Sequence, residues 1–237
     1  MSDPKPKRQL VKLLRRYKRF LADVELSSGE ELTVHCPNPG RLLSVLEEGQ
    51  PALIRDSENP KRKLRWTLEA LKVHGTWVQV DTMASNGAVE AAILAGKIPE
   101  LSGYEGLRRE VPYGENSRID LLLEDPSKGV CYVEVKTTTY LDDTVARFPD
   151  AVTARGLKHL KELTKLAQEG TRAVCFFLVT RDDVQSFGPA PEIDPAWAAA
   201  YEEARTAGVE VIAYDSRVNA GAIELGVSLT VQRPLGA

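Results

Sequence analysis

Asp120, Glu134 and Lys136 are the residues of this chain whose types and spacing best suit chemistry. They sit in Ser117-Arg118-Ile119-Asp120-Leu121-Leu122-Leu123-Glu124, then Asp125-Pro126-Ser127-Lys128-Gly129, then Val130-Cys131-Tyr132-Val133-Glu134-Val135-Lys136. Two apolar runs around a short segment with Pro and Gly predict a β-hairpin. If Glu124 pairs with Val130, Asp120 falls opposite Glu134, and Lys136, two residues on, shares that face. The same register sends Ile119, Leu121, Leu123, Val133 and Val135 to the other face, which reads as the core side. Carboxylates directly opposite one another repel across Cβ separations of about 5 Å. A hard divalent cation with oxygen ligands removes that repulsion. A lysine beside it suits alignment of an attacking water and stabilisation of charge at a phosphate. A surface ion pair on an ordinary hairpin would use the same residue types.

The elements that must hold this hairpin fall into two patterns. Phe20, Ala22, Val24 and Leu26 alternate with polar residues, and Ser27–Glu30 turns the chain into Leu32–His35. Pro37-Asn38-Pro39-Gly40 interrupts it, Arg41–Glu48 suits one short helix, and strands resume at 52–55, 64–73 and 76–81. Several short strands and one brief helix fit a small barrel of the OB type over residues 1–82. After Asp81 the pattern changes to helix at 86–94, strands at 117–123 and 130–139, and another strand near 144–148. Residues 153–169 form an amphipathic helix with Leu157, Leu160, Leu163 and Leu166 as its stripe and Gly170 as its stop. A buried strand at 173–180, a helix at 195–207 and a strand at 209–215 complete a mixed-sheet α/β domain over residues 83–237.

Composition bounds the partners. The 237 residues are 43% hydrophobic and 27% charged, which suits a soluble globular protein, and no apolar run is long enough to span a bilayer. Cys36, Cys131 and Cys175 form no C-x-x-C pair, so they read as buried thiols of a cytoplasmic protein rather than a disulfide or zinc framework. The net charge of −3 conceals a division. Residues 1–80 hold 15 Lys and Arg against 10 Asp and Glu, a net of +5, while the remainder carries −8. Lys5, Lys7, Arg8, Lys12, Arg15, Arg16, Lys18 and Arg19 crowd the first twenty residues, and Lys61, Arg62, Lys63 and Arg65 form a second cluster. Such clusters suit a polyanion or serve as a solvated surface. Arg16, Lys18 and Arg19, with Arg41 beside the Asn38-Pro39-Gly40 turn, are the barrel's candidate phosphate contacts. On the helix at 153–169, Arg155 and Lys158 lie three apart on the polar face and suit a phosphate near the acids. His159, His35 and His74 show no mutual ligand spacing, so His159 reads as structural or phosphate-facing. Phosphate-loop, dinucleotide and serine-nucleophile motifs are missing.

Asp120 with Val133-Glu134-Val135-Lys136 resembles the D…(D/E)xK signature of the PD-(D/E)xK nucleases, although Ile119 stands where the superfamily's name has Pro. The whole chain resembles the sugar fermentation stimulation protein family, SfsA. The likeness is carried by Arg19–Val24, His35-Cys36-Pro37-Asn38-Pro39-Gly40-Arg41, the acidic hairpin through Thr138, and Phe148–Leu160. The resemblance implies an OB-like domain before a nuclease-like domain, DNA binding, and a role in regulating sugar utilisation, maltose especially. It also implies Glu90 as a helical acid joining Asp120 and Glu134 around Mg²⁺ or Mn²⁺. The expectation is therefore a DNA-binding, metal-dependent phosphodiesterase. A non-catalytic DNA-binding regulator and an RNA-directed nuclease are the alternatives. The oligomeric state is open, with a homodimer as one option.

Overall fold

The computed structural model describes residues 7–114, 117–219 and 221–232; Lys5 of the basic run lies outside them. Six strands come first: β1 (Arg8–Tyr17), β2 (Leu21–Glu25), β3 (Glu31–His35), β4 (Pro51–Asp56), β5 (Trp66–Val73) and β6 (Thr76–Gln79). They form a sheet in the order β3-β2-β1-β4-β5-β6, and a pairing of β3 with β5 closes it into the OB barrel. Alternation does the folding: Val24, Val34, Ile54, Leu68, Leu71 and Val78 point inward and are fully buried.

Two features of this half depart from expectation. The basic run forms a strand that the periodicity did not mark. Val11 and Leu13 enter the barrel core, and Arg8 pairs with Glu69 at 2.7 Å, so the segment becomes β1. Arg41–Glu48 is not a helix. Leu42 and Val45 both insert into the core, and Leu42 and Ser44 take left-handed backbone angles that no right-handed helix allows. Gln50 completes the turn by donating to Val45 O and accepting from Glu47 N.

The second half is a mixed sheet in the order β15-β14-β12-β9-β8-β7. Its strands are β7 (Gly106–Tyr113), β8 (Ser117–Asp125), β9 (Gly129–Thr138), β12 (Arg172–Val179), β14 (Glu210–Asn219) and β15 (Ala222–Ser228). The centre, β9-β12-β14, is parallel, as a crossover helix requires. Helix α1 (Met83–Leu94) covers one face, where Val89 and Ile93 meet Leu121, Leu123, Val133 and Phe176. Helices α2 (Ala154–Gln168) and α3 (Pro195–Thr206) cover the other, where Leu160 and Leu163 meet Phe177, Trp197 and Tyr201. Thr153 caps α2 by accepting from Gly156 N; Asp194 caps α3 through Trp197 N and also accepts from Thr153 N, so one carboxylate ties both helix starts together. A small sheet, β10 (Tyr140–Asp142), β11 (Val145–Phe148), β13 (Ser186–Pro189) and β16 (Thr230–Val231), flanks this layer.

The halves meet through buried polar contacts. Thr180 Oγ1 donates to Gln79 O at 2.7 Å, Thr82 Oγ1 to Pro37 O at 2.9 Å, and Leu42 N to Asp150 Oδ2 at 2.7 Å. A Cβ on Gly40 would overlap the Asp150 carboxylate, which the bond from Leu42 holds in place. Gly87 in α1 has open space around it. Gly40→Ala is expected to destabilise the protein by about 1–3 kcal/mol. Gly87→Ala is expected to stabilise it by about 0.5–1 kcal/mol through the lost unfolded-chain entropy. Urea denaturation of the two variants checks both signs.

Candidate metal and phosphate site

The hairpin has the anticipated register, with Glu124 opposite Val130 and Leu121 opposite Val133. Its turn is closed by Asp125 Oδ1, which accepts from Ser127 N and Lys128 N, and by Gly129 at φ 76°. Of the five expected core-face residues, Leu121, Leu123, Val133 and Val135 share one core with α1, whereas Ile119 packs on the opposite face, which helices also cover. Alternation also breaks at Asp120. The β7 ladder passes from Arg109↔Leu121 to Val111↔Ile119, with Glu110 between them at φ 51°. Ile119 and Leu122 then pack into the same core although they are three residues apart.

Asp120 uses its oxygens on the protein instead of on a strand partner. Oδ2 accepts from Val135 N at 2.8 Å and Oδ1 from Asn86 Nδ2 of α1 at 2.7 Å. Glu134 is 2% exposed. Its Oε1 accepts from Lys136 Nζ at 2.7 Å and touches His159 Nδ1 of α2, while its buried Oε2 has no hydrogen-bond partner among the described residues. Burial first, then the charge of Glu134, pushes the Asp120 carboxyl up to about 6. Burial pushes Glu134 the same way, but Lys136 and His159 outweigh it and hold Glu134 below the usual range. Burial would lower the Lys136 ammonium, yet Glu134 keeps it above its ordinary value. Cys175 of β12, paired with Glu134 in the ladder, is pushed up to about 12 by burial and stays a thiol.

Asp120, Glu134 and Lys136 are therefore assembled as one buried cluster. The sequence reading missed Asn86, although it lies four residues before Glu90 on the same helical face. Glu90 itself is not drawn into the cluster: its carboxylate pairs with Arg109 Nη1 at 3.3 Å. Among the described residues no three His, Cys, Asp or Glu side chains form a complete cation cage. The fit for a cation rests on Glu134 Oε2, a buried anionic oxygen without a donor, beside a second desolvated carboxylate.

A cleft of about 610 Å³ is lined by Glu110, Ser117, Arg118, Arg155, Lys158 and His159, the last of which touches Glu134. Arg155 and Lys158 thus share one wall with His159. Arg118 donates to Glu110 O at 2.8 Å and lines the same cleft. The barrel cations divide. Arg16 is committed to the fold, donating to Asn38 O and Gly40 O at 2.7 and 2.8 Å. Lys18 and Arg19 stand exposed in the tight β1–β2 turn at φ 48° and 62°, and Arg41 is exposed beside Gly40. Among the described residues no helix is long and apolar enough to cross a membrane.

Comparison with known proteins agrees with this architecture. Residues 14–80 match the SfsA N-terminal OB domain and residues 83–222 the sugar fermentation stimulation protein RE domain. A sugar fermentation stimulation protein homolog of Acidithiobacillus ferrooxidans is 52% identical over 217 residues, 91% of this chain and 94% of that protein. One from Pseudomonas fluorescens is 55% identical over 207 residues, 86% and 87% of the two chains. The solved structure of Pyrococcus furiosus SfsA in complex with Ca²⁺ superposes with a TM-score of 0.86 at 31% identity, covering 96% of each chain.

The raised Asp120 pKa has a measurable sign. Between about pH 4 and about pH 6 the folded, metal-free protein binds more protons at Asp120 than the unfolded chain does. Its contribution is complete below the lower value and lost as pH rises through the upper. Glu134, depressed, acts oppositely and only below the ordinary carboxylate range. In EDTA, the stability of the unaltered protein relative to Asp120→Asn should fall by on the order of 2 kcal/mol from about pH 4.5 to about pH 7. A flat difference in urea denaturation would contradict the burial of that charge.

Proposed function

This chain belongs to the sugar fermentation stimulation protein family, and on that premise we propose that it binds DNA and hydrolyses its phosphodiester bonds with a divalent cation. The observation that carries the reading is Glu134 Oε2, buried and without a donor beside the desolvated Asp120. Asp120 and Glu134 would hold Mg²⁺ or Mn²⁺; the Ca²⁺ in the structure of the Pyrococcus furiosus relative supports a hard cation in this fold. When bound, such an ion supplies positive charge on which a phosphodiester and an attacking water converge.

The chain's own groups do the rest. Lys136, kept charged by Glu134, is placed to orient the water and to offset negative charge growing on the phosphate. Arg155 and Lys158 on the cleft wall hold a neighbouring phosphate. Lys18, Arg19 and Arg41 extend the cationic surface over the barrel and contact the backbone without reading bases. Arg16 and Glu90 are assigned no direct contact, since the fold already engages both.

Purified protein incubated with plasmid, single-stranded DNA and RNA in Mg²⁺, Mn²⁺ or EDTA tests this. Cleavage should require the cation and fall by about 10²-fold or more in Glu134→Gln and in Lys136→Ala. Binding without cleavage of any substrate would leave a DNA-binding regulator, and cleavage of RNA alone would redirect the substrate assignment. Separately, affinity should drop steeply with salt, and Lys158→Ala should reduce the slope of log K against log salt by about 1. A flat salt response would rule out phosphate recognition.

A further inference from the structure

We infer that His159 is a positioning residue which, as its Nδ1–H tautomer, fixes the Glu134 carboxylate so that Oε2 faces the cation; this rests on the metal reading above. The case is one of donors and acceptors. Arg155 Nε lies 3.5 Å from His159 Nε2, and a guanidinium can only donate. Nε2 must then accept, which leaves the ring proton on Nδ1. Nδ1 in turn lies against Glu134 Oε1, so its N–H is directed at that oxygen. Lys136 Nζ donates to the same Oε1 from 3.4 Å away from Nδ1. Two donors converge on Oε1, and Oε2 receives none among the described residues.

Lysine alone would not fix this geometry, because an ammonium on a flexible stem can follow a carboxylate as it rotates. The imidazole cannot follow. His159 is 7% exposed on α2, and its neighbours Leu160 and Leu163 are set into the core under the sheet. The Thr153 cap and its bond to Asp194 fix where that helix begins. Asp120 is held equally firmly, with one oxygen on Val135 N and the other on Asn86. The site therefore keeps one carboxylate oxygen of Glu134 open by occupying the other twice. Arg155, which sets the tautomer, also lines the cleft, so the phosphate wall and the metal carboxylate meet at a single ring.

Replacing the ring separates this role from packing. Asn places an amide N–H near the position of Nδ1, whereas Gln places one near Nε2. Calorimetric titration of metal-free protein with Mn²⁺ should show Kd raised by about 10- to 100-fold in His159→Ala. His159→Asn should recover most of that affinity and His159→Gln should not, with circular dichroism confirming that all three fold. Nitrogen-15 spectra of the imidazole in the metal-free protein should show Nδ1 protonated and Nε2 bare. Unchanged Mn²⁺ affinity in His159→Ala, equal behaviour of the Asn and Gln variants, or a protonated Nε2 would each overturn the proposal while leaving the metal reading intact. Failure of the unaltered protein to bind Mn²⁺ at all would overturn the metal reading and this proposal with it.

Discussion

The buried charge of Glu134 is the constraint on which the rest of the structure depends. A carboxylate that is 2% exposed costs several kcal/mol in lost hydration unless charged or hydrogen-bonding neighbours replace the water. Lys136 is the nearest remedy, two residues along the same strand, and His159 reaches in from α2. Both act on one oxygen. A second carboxylate, Asp120, shares the site, and its raised pKa registers the cost of its burial first and of the Glu134 charge second. Polar groups concentrated this way in a sheet covered on both faces are unusual for a structure optimised only for stability.

Holding that cluster places demands on distant parts of the chain. The ring of His159 is only as well placed as α2, whose start is tied to α3 through Asp194. Asp120 depends on α1 through Asn86, and α1 follows directly from the barrel, where Thr82 donates to Pro37 O. Asp150, just before α2, reaches back to Leu42 of the barrel. The barrel is thus joined to both helices that supply side chains to the acids. Its cations divide: Arg8, Arg55 and Arg16 are engaged in ion pairs and carbonyl contacts, whereas Lys18, Arg19 and Arg41 are exposed.

Much of this was legible in the residues because it depends on local periodicity. A strand repeats every two residues, so the Asp125–Gly129 turn set Glu124 against Val130 and put Glu134 and Lys136 on one side of β9. Asp120, where the alternation breaks, is instead held by Val135 N and Asn86. The leucine stripe and the Gly170 stop likewise marked α2 and put Arg155 and Lys158 on its outer side. The OB barrel emerged from alternation and turn chemistry, and the family profiles over residues 14–80 and 83–222 agree with it.

What only the tertiary structure decided are the pairings between residues far apart in the chain, which no local period encodes. Arg8–Tyr17 is a strand because the barrel offers Val11 and Leu13 a core and Arg8 a glutamate 61 residues away. Arg41–Glu48 fails as a helix because Leu42 and Val45 must reach the core while Leu42 N meets Asp150. Glu90 is claimed by Arg109 from a strand that periodicity did not reveal, and His159 is brought to Glu134 by the packing of α2. The sequence by itself determined which three side chains share the site. The fold decided which neighbours hold them, because a buried charge is satisfied by whatever the packed layers bring within hydrogen-bonding distance.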